Sequence, residues 1–418
     1  MKIRSKVLGA AAAMAVTTVA LSGCAGFGGG GSDAGSGLKG TITFTTWASP
    51  AEQKSFQSLI KTFESEHKGA TVKLNVVPYA NMFSGIDSAL SAGNAPDVWR
   101  VDYPDLGVYS SQDQLLSLDG DFSKSEADNF NPALWEAVKY DGKVYGVPQE
   151  VDVSALLVNT DMVKAAGLDP STFPKTQADA WTWEQFADVV KKLRTALPAN
   201  QYPFVYNWQQ GGAFRWLSWL FQADGSIIGT DGKTPEIDSA AGTKALDFTK
   251  SFFTNKWVPP QSSVKSNTYA DSLFENKTAA MAFLGSFEVA DIQSLAKFNW
   301  TAIPMPKDKR AATDLGGNAL VATKTTKNPA LSRAFLKYMV SEGAMKTFTA
   351  ATNELPTLKT LSGDAVKFAV RPDVMPVFVD QAATIQPSDV KQITSPAMST
   401  ISTALQNQLD AAFVSGQS

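Results

Sequence analysis

From Thr41 onward, short alternating runs take turns with capped amphipathic helices, and that rhythm narrows the possible folds more than anything else in the chain. Thr41-Ile42-Thr43-Phe44-Thr45 alternates with the two-residue period of a strand. Ser49-Pro50-Ala51-Glu52 is a capping box with proline at the first helical position. Phe56, Leu59, Ile60 and Phe63 then share one helical face, and Gly69 ends it. Val72, Leu74 and Val76 mark a second strand, followed by a helix over residues 82–92 and a strand at Asp97-Val98-Trp99-Arg100-Val101. A βαβαβ unit of this kind predicts an α/β fold, with mainly parallel sheets and helices on both faces.

The pattern continues to the end of the chain. Lys143-Val144-Tyr145-Gly146-Val147 and Ala155-Leu156-Leu157-Val158-Asn159 read as strands, and a helix follows over residues 160–166. Thr182-Trp183-Glu184-Gln185 is a second capping box, Asp231-Gly232-Lys233 a turn, and Met281-Ala282-Phe283-Leu284 and Trp300-Thr301-Ala302-Ile303 are short strands. Asn328-Pro329 caps a long helix carrying Phe335, Leu336, Met339 and Val340. With 418 residues, 44% of them hydrophobic, the chain is long enough for two domains or more.

Scarcity removes several chemistries. One cysteine and one histidine rule out a Cys/His zinc site, an internal disulfide and a cysteine nucleophile with two histidine partners. The histidine, His67, lies in the charged stretch Glu64-Ser65-Glu66-His67-Lys68-Gly69, where a solvated helix end suits it better than a catalytic triad. A net charge of -3 favours neither nucleic acid nor an anionic membrane surface as a partner. Asp119-Gly120-Asp121-Phe122-Ser123 opens like a calcium loop, but its sixth position is Lys124 and its twelfth Phe130, so it reads as a polar turn before a helix. No metal or other cofactor is expected.

The amino terminus reads as a secretory signal. Lys2, Arg4 and Lys6 precede an apolar run from Val7 to Leu21, too short and too rich in Ala and Thr for a membrane span. Residues 25–37 are Gly/Ser-rich and read as a flexible tether. Leu21-Ser22-Gly23-Cys24 resembles the lipobox of bacterial lipoproteins, in which the cysteine becomes the first mature residue and carries lipid; Cys24 is the sole cysteine of the chain. The resemblance implies a signal peptide over residues 1–23, a lipidated Cys24 with its tether over residues 24–37, and a body held at the outer face of the cytoplasmic membrane, touching it through the anchor alone.

Further landmarks occur in order: Ala95-Pro96-Asp97-Val98, Tyr140-Asp141-Gly142-Lys143-Val144-Tyr145-Gly146-Val147-Pro148, Leu157-Val158-Asn159-Thr160-Asp161-Met162, Ala279-Ala280-Met281-Ala282-Phe283-Leu284-Gly285-Ser286-Phe287, Gly316-Gly317 and Glu354-Leu355-Pro356-Thr357. Behind a lipobox, this series resembles the family 1 extracellular solute-binding proteins, the maltose-binding-protein-like receptors of carbohydrate ABC importers. The resemblance spans nearly all of the mature chain. It implies a two-lobed periplasmic-binding-protein-like fold whose hinge the chain crosses several times. The N-terminal lobe would hold residues 38–150 plus 284–340 and the C-terminal lobe residues 151–283 plus 341–418. It also implies a monomer without enzymatic activity, and as partners a carbohydrate, captured by hinge bending, and the transmembrane subunits of an importer.

A sugar offers hydroxyl edges and an apolar C–H face, so its site needs flat rings beside a few fixed polar groups. Trp47 follows the first strand directly and suits either a cleft wall or the core. Asp102 and Tyr103 follow the strand ending at Val101, although Pro104 makes a turn the competing reading. In the resembling family an acidic residue before the Leu-Val-Asn strand reaches the ligand; Asp152 has that spacing, with Glu150 nearby. Phe287, beside Glu288, stands where that family commonly has a stacking Trp, and Phe lacks the indole donor. Among Trp208, Phe214, Arg215, Trp216 and Trp219, helical spacing puts at least one Trp in the core, while Phe214 and Arg215 lie nearer the helix start; Trp216 stays a candidate. Gly317 and Asn318 can bring backbone close to hydroxyls or form a strand entry, and Asn353 with Glu354 occupies a loop that reaches the cleft in the family. Two other functions fit such residues: a secreted glycoside hydrolase using Asp102 with Asp152 or Glu288, and a receptor of the same build for a polyamine, a phosphodiester or a metal.

Overall fold

Residues 38–209 and 211–414 are described by the computed structural model; the signal segment, Cys24 and the tether lie outside the described residues. In chain order the strands are β1 (Gly40–Thr46), β2 (Ala70–Val76), β3 (Val98–Asp102), β4 (Lys139–Tyr140), β5 (Lys143–Val144), β6 (Gly146–Glu150), β7 (Ser154–Asn159), β8 (Tyr202–Tyr206), β9 (Ala279–Gly285), β10 (Trp300–Ile303) and β11 (Asn318–Ala322). They form two principal sheets, ordered β2-β1-β3-β11-β6 and β10-β7-β9-β8, and β4-β5 makes a small hairpin. Each sheet is the centre of one lobe.

Local sequence accounts for most elements. The Ser49 hydroxyl accepts from the Glu52 N–H while the Glu52 carboxylate accepts from the Ser49 N–H at 2.7 Å, which starts the helix Pro50–Glu66. Thr182 and Gln185 do the same for Trp183–Ala196, and Ser123 and Glu126 for Lys124–Asn129, the helix after the polar turn. A cap of this kind stabilises a helix by about 1 kcal/mol. His67 ends the first helix, half-buried against Phe63. Asn328 makes no cap bond; its amide donates instead to the Thr41 carbonyl and ties the helix Pro329–Met339 to β1.

The first lobe packs Phe44, Phe56, Phe63 and Phe335, all fully buried, with ring centroids 5.2–5.6 Å apart. Trp219 lies 5.4–5.7 Å from Trp183, Phe252 and Phe283 in the second. Burying one such ring stabilises the fold by about 1.5–3 kcal/mol.

Two expectations change. The α/β class holds, but the sheets are mixed: β1 pairs β2 and β3 in parallel and β8 pairs β9 in parallel, while β11 and β7 run against their neighbours. Each of the two reversed strands begins just after a crossover, as β6 and β10 end just before one. Segment boundaries shift too. β10 is hydrogen-bonded to β7 in the second sheet, so the chain returns to the first lobe after Ile303 and not at Leu284. The helix Glu342–Thr352 packs Phe348 on Phe56 at 4.8 Å, which keeps it in the first lobe. Beyond it, Val151 and Leu355 form a reciprocal backbone bridge at 3.1 Å, so two crossings lie side by side. The C-terminal helix Met398–Val414 touches both the first-lobe helix Tyr103–Ser111 and the second-lobe helix Ala240–Thr254.

Candidate functional site

Parallel strands end their hydrogen-bonding at the carboxyl edge, and the residues just past it are free to face a crevice. In the first lobe these are Trp47 after β1, Tyr79 after β2 and Asp102 at the end of β3. The Tyr79 hydroxyl donates to Asp102 Oδ2 at 2.8 Å, and the Asn318 amide, opposite in the β3–β11 ladder, donates to the other oxygen. Trp47, Tyr79 and Phe83 meet edge to face at 5.1–6.0 Å. Tyr79 is 51% exposed, although its hydroxyl is engaged.

The second wall comes from β8 and β9. Asn207 follows β8, and its amide reaches Glu288 at 3.5 Å. Glu288 also accepts from the Gly285 N–H at 2.6 Å and so closes the turn after β9. Phe287, in that turn, is 40% exposed. Its ring covers Gly285 so closely that a Cβ there would sit 2.3 Å from it. Arg215 is held by Asp314 at 3.3 Å and faces Asp152 at 3.9 Å; its guanidinium lies 4.8 Å from the Phe214 ring. Asp314 is itself fixed by the Ser154 N–H and hydroxyl.

The two walls interact electrically. Arg215 lowers the pKa of Asp102 and Tyr79 in the first lobe, and also of Asp152 and Glu288. Burial is the larger cause at each carboxyl. It pushes Glu288 up to about 8, with Asp271 adding to the rise, and Asp152 up to about 6. Asp105, beside Asp102 and Asp87, is raised by burial to about 7. One Asp152 oxygen is buried without a hydrogen-bond partner, as are the Asn207 carbonyl oxygen and the Ser286 hydroxyl. Exposed rings beside buried polar atoms that lack a hydrogen-bond partner suit a polyhydroxylated guest. Among the described residues no three His, Cys, Asp or Glu side chains converge to hold a metal.

Comparison with known proteins supplies the family. The sequence profile of the bacterial extracellular solute-binding proteins matches residues 47–346. The chain belongs to that family. The solute-binding protein is 26% identical over 311 residues to the maltodextrin-binding protein MdxE of Bacillus subtilis (strain 168), covering 72% of this chain and 70% of that one. It is 25% identical to the maltooligosaccharide ABC transporter solute-binding lipoprotein of Streptococcus pneumoniae (strain ATCC BAA-255 / R6), over 90% of this chain and 87% of that one. In fold it is similar to the GacH receptor of Streptomyces glaucescens GLA.O, with a TM-score of 0.75, 22% identity and coverage of 91% and 94%. The cyclic alpha-maltosyl-1,6-maltose binding protein of Arthrobacter globiformis gives a TM-score of 0.77 at 18% identity, with 91% and 95% covered. Family membership places the solute-binding protein outside the cytoplasm, and no described helix is long and apolar enough to cross a membrane.

Of the residues singled out from the sequence, Asp102 is bonded by Asn318, Arg215 lies beside Asp152 and the Phe214 ring, and Glu288 closes the turn that carries Phe287, while four others are engaged in the packing. Tyr103 is fully buried, with its hydroxyl on the Glu150 carbonyl. Trp216 is 1% exposed and donates to Thr249, so the ambiguous helical spacing resolves to core. Asn353, at φ +63°, spends both ends of its amide on the Val370 backbone. Gly317, at φ +90°, meets the crossover itself: a Cβ would lie 2.5 Å from the Val151 Cα. Sequence reasoning missed Tyr79, Asn207 and Asp314. Asn207 directly follows β8, the same signal that points to Trp47, and Tyr79 opens the helix three residues past the end of β2; Asp314 carries no local mark.

Proposed function

We propose that this protein captures an oligosaccharide outside the cell and passes it uncleaved to an ABC importer, held at the membrane by lipid on Cys24. One observation carries the reading: exposed rings, Tyr79 in one lobe and Phe287 in the other, flank polar groups from both lobes that sense the same Arg215. Relatives named for maltodextrin, arabinooligosaccharide and galactooligosaccharide binding support the sugar class. Stacking on the rings and hydrogen bonds to Asp102, Asp152, Arg215 and Asn318 would favour a closed arrangement of the lobes, since a ligand shifts an equilibrium only through contacts that differ between its states. The importer needs its cargo intact, and nothing in that mechanism asks a carboxyl group to break a bond.

The test uses the soluble body with maltotriose, galactotriose and arabinotriose. Ligand at a hundred times Kd stabilises a protein by about 2.7 kcal/mol, a readily measured rise in Tm. A saturable rise for one sugar, with that sugar recovered whole by chromatography, is the expected result. Shortened products would establish a hydrolase, and no rise with any of the three would remove the sugar reading. The anchor has its own measurement: a Cys24→Ser chain should appear in the medium, and its retention in the membrane pellet would refute lipidation at that residue.

A further inference from the structure

A buried guanidinium lies behind the aromatic wall of the first lobe. Arg100, on β3, is 1% exposed, and its Cζ sits 4.7 Å from the Trp47 ring centroid. Nη1 donates to Glu52 at 2.7 Å and to the Trp47 carbonyl at 3.4 Å; Nη2 donates to Glu150 at 3.0 Å. Glu354 completes the surroundings and acts on Arg100 through its charge. Four stretches of chain therefore meet at one planar cation: the first helix, β3, the last residue of β6 and the segment after Thr352.

Taking a guanidinium out of water is costly, and apolar side chains of the same volume would fill this space at lower cost. What an apolar filler cannot do is hold a plane. Glu52 and Glu150 fix the guanidinium in orientation through separate nitrogens, and the indole lies against that fixed surface. Glu52 also reaches the Ser49 N–H with its other oxygen, so the turn that carries Trp47 is tied to the same carboxylate. The backbone of Trp47 is held as well, because its carbonyl accepts from the Thr46 hydroxyl at 2.6 Å. Trp47 nonetheless remains half-buried, next to exposed Tyr79. Such a ring, left without backing, could rotate about its side-chain torsions and lose rotamer freedom only when a ligand arrived.

We infer that Arg100 is a positioning residue: it sets the plane of Trp47 and so prepares the first-lobe wall for stacking on ligand. The inference rests on the reading of that wall as part of a sugar site, and its test separates the two. Arg100→Lys keeps a cation for Glu52 and Glu150 but removes the flat face. The protein is labelled with 5-fluorotryptophan, and the Trp47 resonance is assigned by its loss in Trp47→Phe. In Arg100→Lys that resonance should shift and broaden while those of Trp135 and Trp300 stay in place. Affinity for whichever of maltotriose, galactotriose and arabinotriose binds should fall about tenfold, the scale of a desolvated cation–π contact. In a Trp47→Ala background the same change should cost less than about twofold, because the ring it orients is gone. Arg100→Met, which also removes the charge, provides a second variant for the same fluorine measurement. An unmoved Trp47 resonance in a folded variant would overturn the inference, and so would a moved resonance with unchanged affinity. If the wild-type protein binds none of the three sugars, the functional reading fails, and the fluorine spectrum alone still decides whether Arg100 fixes the ring.

Discussion

At the scale of single residues, exposure separates the two kinds of aromatic side chain in this protein. Trp216 and Trp219 bury their rings and stabilise a lobe; Tyr79 and Phe287 keep theirs at the surface beside polar groups. A ring exposed beside polar groups can stack on the apolar face of a ligand. Phe287→Ala should leave Tm within about 1 °C of wild type, since surface changes usually stay within about 0.5 kcal/mol. The same substitution should weaken sugar affinity roughly five- to tenfold, in line with about 1 kcal/mol for a ring contact. Isothermal titration beside a melting curve checks both halves; equal affinities would take Phe287 out of the binding wall. Trp47 and Arg215 stand out in the sequence by position alone, Trp47 directly after a strand and Arg215 in the turn that leads into the helix Leu217–Gln222. Tyr103 was not separable from Asp102, because adjacent residues at a strand end face opposite ways and only tertiary packing decides which one is buried.

At the scale of elements, the crossovers are where small side chains become obligatory. Gly317 combines φ +90° with an approach that leaves no room for a Cβ against Val151, Asp152 and Glu150. Gly317→Ala should therefore cost more than about 2 kcal/mol, the left-handed penalty being only part of it. Thermal unfolding of the variant should show a clear drop in Tm, and an unchanged melting curve would mean that the crossover relaxes freely. How much of the architecture could be read in advance follows the range of its interactions. β1, β2 and the helices opened by Ser49 and Thr182 depend on residues within a few positions of one another, and they lie where the sequence puts them. The lobe of β10 does not. Trp300 pairs with Asn159 across a long stretch of chain, and nothing in Trp300-Thr301-Ala302-Ile303 says which sheet receives it. Asn328 shows the same limit in one side chain: its position before Pro329 suits a cap, and its amide is taken by β1 instead.

For the whole molecule, the carboxyl groups divide into two populations with opposite pH behaviour. Glu126, Asp179 and Asp231 lie on loops and helix starts, where hydrogen bonds from Lys337, Thr176 and Thr234 respectively, as largest cause, hold each at about 2. A depressed folded pKa means stability that is present above the unfolded value near 4 and is lost as pH falls toward 2. Glu150 and Glu288 are the reverse: burial raises both to about 8, and the attraction of Arg100 for Glu150 only partly opposes it. Here the protonated form is the one the fold accommodates. Their contribution is complete below the unfolded value of about 4.3 and is lost as pH rises through about 8. Taken together, the two populations place maximum stability on the acid side of neutrality, near pH 5. Between pH 6 and pH 9 the melting temperature should fall by several degrees, since deprotonating a buried acid shifted by this much costs on the order of a few kcal/mol. Glu150→Gln, which imitates the protonated form and keeps an acceptor for Arg100, should flatten that slope without lowering Tm at pH 6. A melting temperature that climbs from pH 6 to pH 9 would contradict the assignment, because it would require the ionised form of Glu150 to be the one that the folded interior prefers.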